Sequence, residues 1–263
     1  MSAGKLKNLI LLILLIANGF LLALVIPSCR EAAIRQQQAR TQLSELFARA
    51  DVSFSADQIP EAVELYPMEA LCTAEDLEPA AQALLGGGEA KAVSGGMEVT
   101  AERGVCRLSP GGRISAELRE EAADEAARTA EILRQFGGRW TEPEPTAEGT
   151  YAVRQKIAGV PVLSHAVTFT YGGGLLTVEG RIVPEPKRTG AEACCTAEDA
   201  LTSFLSSRLD LGWMGSRVES VVQGYLLTDG AAQGAVLLQP VWQIVTDAGV
   251  FRVDGILRTV TAE

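Results

Sequence analysis

The chain contains a single histidine, His165, and five cysteines. Any Ser–His or Cys–His catalytic pair would have to use His165, the side chain that titrates closest to neutral pH. No nucleophile signature accompanies it: G-x-S-x-G, H-E-x-x-H, a P-loop and a dinucleotide fingerprint are all absent. His165 falls between Leu163 and Val167 in an alternating apolar run. The expectation is a structural histidine packed on a strand face with one hydrogen-bond partner. One histidine also excludes multi-histidine metal sites, and without C-x-x-C spacing the cysteines do not read as zinc ligands. No catalytic, cofactor-binding or metal-ligating residue is therefore expected, and no cofactor.

Three other groups have the composition of a site. Cys72, Cys106, Cys194 and Cys195 allow three disulfide connectivities, and free thiols or one structural bridge both remain open. Cys194-Cys195 precede a helix start, where the helix dipole would lower a thiol pKa, so redox sensing is the functional alternative. Glu117, Glu121, Asp124, Glu125 and Glu131 look like an acid cluster. Over a helix predicted at 115–136, however, they occupy the solvated faces, opposite the stripe Leu118, Ala122, Ala126, Thr129, Leu133 and Phe136. The glycine runs 86–88 and 172–174 match phosphate loops in composition alone and read as turns.

The elements that must position these residues begin with the composition. Of 263 residues, 33 are acidic and 23 basic, a net charge of −10, which argues against nucleic acid as a partner. Apolar residues make up 47% and charged residues 21%, the balance of a packed globular chain. Asn8 to Ile26 carries no charge and, as a helix, spans roughly 28 Å, close to a bilayer core. It is expected to be an uncleaved anchor, with a lipoprotein signal ending at Cys29 as the alternative. Lys5 and Lys7 precede it, which predicts a cytoplasmic tail and a single-pass cell-membrane protein with its C-terminal body extracytoplasmic. Asn18 and Gly19 interrupt the run and are the candidate transmembrane partner contacts.

Beyond the span, residues 31–50 have helical spacing and read as a stalk. Cys72-Thr73-Ala74-Glu75-Asp76-Leu77 is echoed by Cys195-Thr196-Ala197-Glu198-Asp199-Ala200-Leu201, each a Thr-capped helix start. Alternation over 151–157, 163–171 and 176–182, and again near 217–227, 235–246 and 250–260, predicts antiparallel meanders. The expected fold class is α+β: a single N-terminal transmembrane helix followed by repeated helix-plus-antiparallel-meander units. The expected divisions are 1–28 tail and anchor, 29–52 juxtamembrane helical stalk, 53–187 membrane-proximal α+β lobe, and 190–263 C-terminal helix-plus-three-strand lobe.

Four segments carry a resemblance: the span Lys5–Leu22 with its central Asn18; Tyr151–Leu163 with Gly159-Val160-Pro161; the helix from Ala200-Leu201 to Leu209 after an acidic start; and Val236–Ile244 with Pro240-Val241-Trp242. In these the chain resembles the YycH/YycI family, accessory regulators of a two-component system controlling cell-wall metabolism. The resemblance covers the anchor and about residues 150–260; residues 51–113 match poorly, and the cysteines and glycine-rich turns depart from the pattern. It implies a PepSY-like extracytoplasmic fold and a non-enzymatic regulator that binds a membrane sensor histidine kinase. A related accessory protein and the lipid bilayer are the further implied partners. The alternative is a PepSY-like binding or inhibitory module acting on another envelope protein or peptidase, with a hydrolase using His165 as a distant third.

Overall fold

The computed structural model describes residues 11, 14, 15, 18, 37–208 and 210–263. The chain divides into two units, Met1–Asp57 and Gln58–Glu263. In the first, residues 37–49 form a helix, α1, and Phe47 and Phe54 stack with ring centroids 4.7 Å apart.

The anchor expected over 8–26 lies outside the described residues, except for Leu11, Leu14, Leu15 and Asn18, which are helical and exposed. Gly19 also lies outside them. Among the described residues no helix is long and apolar enough to cross a membrane. α1 carries Arg40, Glu45 and Arg49 within its span, charges that a bilayer core disfavours. The single-pass, extracytoplasmic placement is therefore corrected.

The second unit corrects the expected fold class. Among the described residues strand accounts for 41% and helix for 23%, and the named strands pair antiparallel. The expected helix-plus-meander repeats do not form separate units. Eight strands join in one sheet, in the order Glu89–Val93, Gly96–Ala101, Gly104–Ser109, Arg113–Arg119, Leu175–Arg181, Val167–Gly172, Thr150–Val153 and Glu144–Ala147. A second sheet is built around the long strand Ala235–Thr246. It pairs on one side with Val218–Asp229 and on the other with Met68–Leu71 and then Gly249–Asp254.

Local chemistry explains the helices. α2 (Ala74–Leu85) starts at Thr73, whose hydroxyl accepts from the Asp76 N–H while the Asp76 carboxylate accepts from the Thr73 N–H at 2.9 Å. It stops at Gly86, with φ of 75°. α3 (Glu125–Phe136) is capped by Asp124, and α4 (Ala197–Ser206) by Thr196. α2 and α3 cover one face of the eight-stranded sheet. Leu77, Leu84, Ile132 and Leu133 meet Val99, Leu108, Leu118, Phe169 and Val178 there.

The helix expected over 115–136 begins ten residues later, because Arg113–Arg119 is a strand. Ile114, Ala116 and Leu118 are buried while Arg113, Ser115, Glu117 and Arg119 are exposed. That period of two, with partners on both sides at 104–109 and 175–181, wins over the weaker helical spacing.

Candidate functional site

The helices cover only one face of the eight-stranded sheet, so the other face presents the alternate residues of each strand. Register sets them in rows. Glu98, Arg107, Ser115, Glu179 and Thr168 lie opposite one another across five strands. In the next row Ser109, Arg113 and Arg181 do the same. These two rows open into a cavity of 790 Å³, within the usual size of ligand sites.

The second sheet closes one side of the cavity. Asp229, the last residue of Val218–Asp229, accepts from Arg181 at 2.5 Å and from Arg113 at 3.3 Å. One carboxylate thus holds two guanidinium groups from neighbouring strands. The Arg181 side chain is 7% exposed and the Asp229 side chain 62%. The Arg181 hydrogen bond and charge, with Arg113 behind it, hold the Asp229 carboxyl below the usual aspartate range. Arg107 is directed by Glu98, 3.0 Å away across the strand pair.

His165 borders the same cavity. The structure does not place it on a strand: Val167–Gly172 begins two residues later. It belongs to a strap, residues 162–166, laid along the edge of Val218–Asp229. Leu163 N–H donates to Tyr225 O at 2.8 Å, and Leu227 N–H donates to Ser164 Oγ at 2.9 Å. Gly224 permits this approach, since a Cβ there would lie 2.6 Å from Pro161 O. Ser164 Oγ in turn lies 2.9 Å from His165 Nδ1. Burial and then the Arg181 charge push the His165 pKa down, opposed by Asp229, so the imidazole is neutral at pH 7.

The other expected site residues lie elsewhere. Asn18 is exposed on a helix and belongs to the first unit. Cys72, Cys106, Cys194 and Cys195 are free thiols. The adjacent Cys194 and Cys195 thiols influence each other, which lowers the Cys194 pKa and raises that of Cys195. Among the described residues no group of three His, Cys, Asp or Glu is placed to hold a metal ion. The acidic run is dispersed: Glu117 is on a strand, Asp124 caps α3, and Glu131 pairs with Arg128 at 2.7 Å.

The arginines were the residues that sequence reasoning missed. The available signal was the positioning of Arg107, Arg113 and Arg181 at polar positions of three alternating strands; the register that assembles them was not readable. The chemistry they offer is recognition: forked N–H donors and two serine hydroxyls on a firm sheet.

No family model matches the chain, and no curated protein matches it. Among solved structures it is similar to an uncharacterized protein from Eubacterium rectale ATCC 33656, determined at 1.45 Å resolution. The TM-score is 0.43 and the identity 10%, over 76% of this chain and 86% of that one.

Proposed function

We propose that this chain is a non-enzymatic binding module that regulates a protein partner, a sensor histidine kinase of a two-component system controlling cell-wall metabolism. The observation that carries the binding reading is the uncovered row of Arg107, Ser115 and Glu179 beside the Arg113–Asp229–Arg181 cluster. A firm, polar, charged sheet face of this kind suits recognition of another chain more than chemistry on a small substrate. His165 fits that reading, because its Nδ1 is engaged by Ser164 and its ring is neutral. The kinase as partner rests on the resemblance of Tyr151–Leu163 and Val236–Ile244 to the YycH/YycI family. A regulator must bind two states of its partner unequally, since equal binding shifts nothing.

The test is recovery of the full-length chain with its partners, followed by identification of what comes with it, and measurement of kinase autophosphorylation with and without the chain. A histidine kinase in the recovered material, with altered autophosphorylation, is the expected result. Recovery of a peptidase instead, or of a kinase whose activity is unchanged, overturns the regulatory reading.

A further inference from the structure

Resting on the binding-module reading above, the geometry points to an extended acidic peptide segment as the group this open face takes, with carboxylates at alternate positions meeting Arg113 and Arg107 in turn. Four observations converge on it. First, the two arginines stand diagonally on neighbouring strands: Arg107 lies opposite Ser115 and Arg113 opposite Ser109. Diagonal positions across an antiparallel pair are roughly 7–8 Å apart. Alternate side chains of an extended peptide repeat at roughly 6.5–7 Å, so two of its carboxylates match the two guanidinium groups.

Second, the cavity already holds a carboxylate in the expected manner. Asp229 reaches in from the second sheet and bridges Arg113 and Arg181. Arg181 is the buried member, while the Arg113 and Arg107 side chains are 59% and 71% exposed. The accessible guanidinium groups are thus held in position by charges behind or beside them, Asp229 for one and Glu98 for the other. Forked guanidinium groups suit carboxylates better than a point charge does.

Third, the cavity lining sets Arg107, Arg113 and Arg181 against Asp229 and Glu179, a net charge of +1 in a chain whose net charge is −10. That local sign, opposite to the chain's, favours an anion there over the acidic surface elsewhere. Fourth, Glu179 sets the limit. It lies in the same row as Arg107, with Ser115 between them. An acid placed over Glu179 is repelled, so the segment is confined to the arginine side and the next position across must be neutral or basic. Ser109 and Ser115 supply hydroxyls that can bond the peptide between the charged contacts.

The experiment uses the full-length chain and a fluorescein-labelled synthetic peptide of alternating Thr and Glu, with alternating Thr and Gln as its control. Fluorescence anisotropy should show the Glu peptide binding at least about tenfold more tightly than the Gln peptide, with an advantage that shrinks as salt rises. Arg107→Gln and Arg113→Gln should each remove most of that advantage, and Arg113→Lys should keep part of it. Arg113 also bonds Asp229, so its variants are checked for an unchanged thermal melt. Arg107 lies outside that cluster and gives the independent variant. Equal binding of the two peptides, or insensitivity to Arg107→Gln, overturns the proposal. So does competition by free glutarate at the peptide's own concentration, which would assign the site to small carboxylates. If neither peptide binds while the chain still recovers its kinase, the acidic ligand fails and the regulatory reading stands. If the Glu peptide binds selectively and no kinase is recovered, the ligand class stands and the kinase does not.

Discussion

Thr129 Oγ1 of α3 and Tyr171 Oη of the central sheet lie 2.9 Å apart, a buried hydroxyl pair that pins the helix to the strand beneath it. Thr129 is fully buried. Removing one hydroxyl strands the other, and the two removals are not equivalent. With Tyr171→Phe, the Thr129 hydroxyl can turn to a carbonyl of its own helix. With Thr129→Val, the phenol has no such local substitute. Thr129→Val should therefore cost about 1–3 kcal/mol and Tyr171→Phe less. Urea unfolding of both single variants and the double variant checks this. Equal losses that add in the double variant would mean that the pair is not coupled.

The Arg181–Asp229 pair predicts an asymmetry in stability. Asp229→Asn leaves a buried guanidinium without its counter-charge, whereas Arg181→Met replaces that guanidinium by an apolar group of similar length. Asp229→Asn should lower the melting temperature more than Arg181→Met. Because the folded pKa of Asp229 is depressed, its contribution is present above the unfolded value of about 3.9 and is lost as pH falls through the folded value. Melting curves between pH 2 and 6 should show a shallower acid limb for Asp229→Asn than for the parent chain.

His165 shifts stability in the same direction for the opposite reason, since the fold favours its neutral form. Its folded pKa lies below the ordinary imidazole value of about 6.5. Between the folded value and 6.5 the unfolded chain binds more protons, so stability falls as pH drops through that window. His165→Asn, which places a polar atom near the Nδ1 position facing Ser164, should remove that slope. Urea midpoints at pH 5.5 and 7.5 that differ as much in the variant as in the parent would assign the slope to other groups.

The thiols should sort by reactivity. Burial pushes Cys106 up to about 12 and Cys72 up to about 11, whereas the Cys195 thiol beside Cys194 draws that sulfur down. The thiolate is the reactive form. In a Cys29→Ser background at pH 8, a thiol reagent should modify Cys194 first and reach Cys72 and Cys106 only after denaturation. Mass spectrometry of digests resolves the order.

The tight turn between Gln155–Ile157 and Val160–Pro161 places Ala158 at φ of 51° and Gly159 at 89°. Asparagine tolerates the left-handed region better than alanine does. Ala158→Asn should raise stability by up to about 1 kcal/mol, read from urea midpoints.

How far the chain could be read in advance depended on whether a signal was local. The caps at Thr73 and Thr196 needed only the next few residues and emerge where the motif stands. The alternation of Leu176 and Val178 with Thr177 and Glu179 likewise marks a strand. Arg113–Arg119 carries two overlapping periodicities, because Leu118 also fits the stripe of the following helix. Around His165 the alternation of Leu163 and Val167 reads as a strand face, but the segment is diverted by hydrogen bonds to Tyr225 and Leu227, some sixty residues away. The cavity was the least legible part. Arg107, Arg113, Arg181 and Asp229 come together only through non-local register, which no single stretch of sequence encodes.

The pairing of Met68–Leu71 with Ala235–Leu238 has a consequence for the order in which the chain acquires its shape. Register sets Leu71 opposite Ala235, 164 residues further along. The eight-stranded sheet draws only on residues 89–181 and has all its strands once Arg181 is available. Met68–Leu71 must wait for the end of the chain. At about 5–20 residues per second of synthesis, that wait is on the order of 8–33 s. During it Lys187–Arg188 can pair with Met68 and Glu69 on one edge, but the edge that Ala235–Leu238 will cover stands open, so this short segment is where a nascent chain would be captured by a chaperone or pair wrongly with another copy.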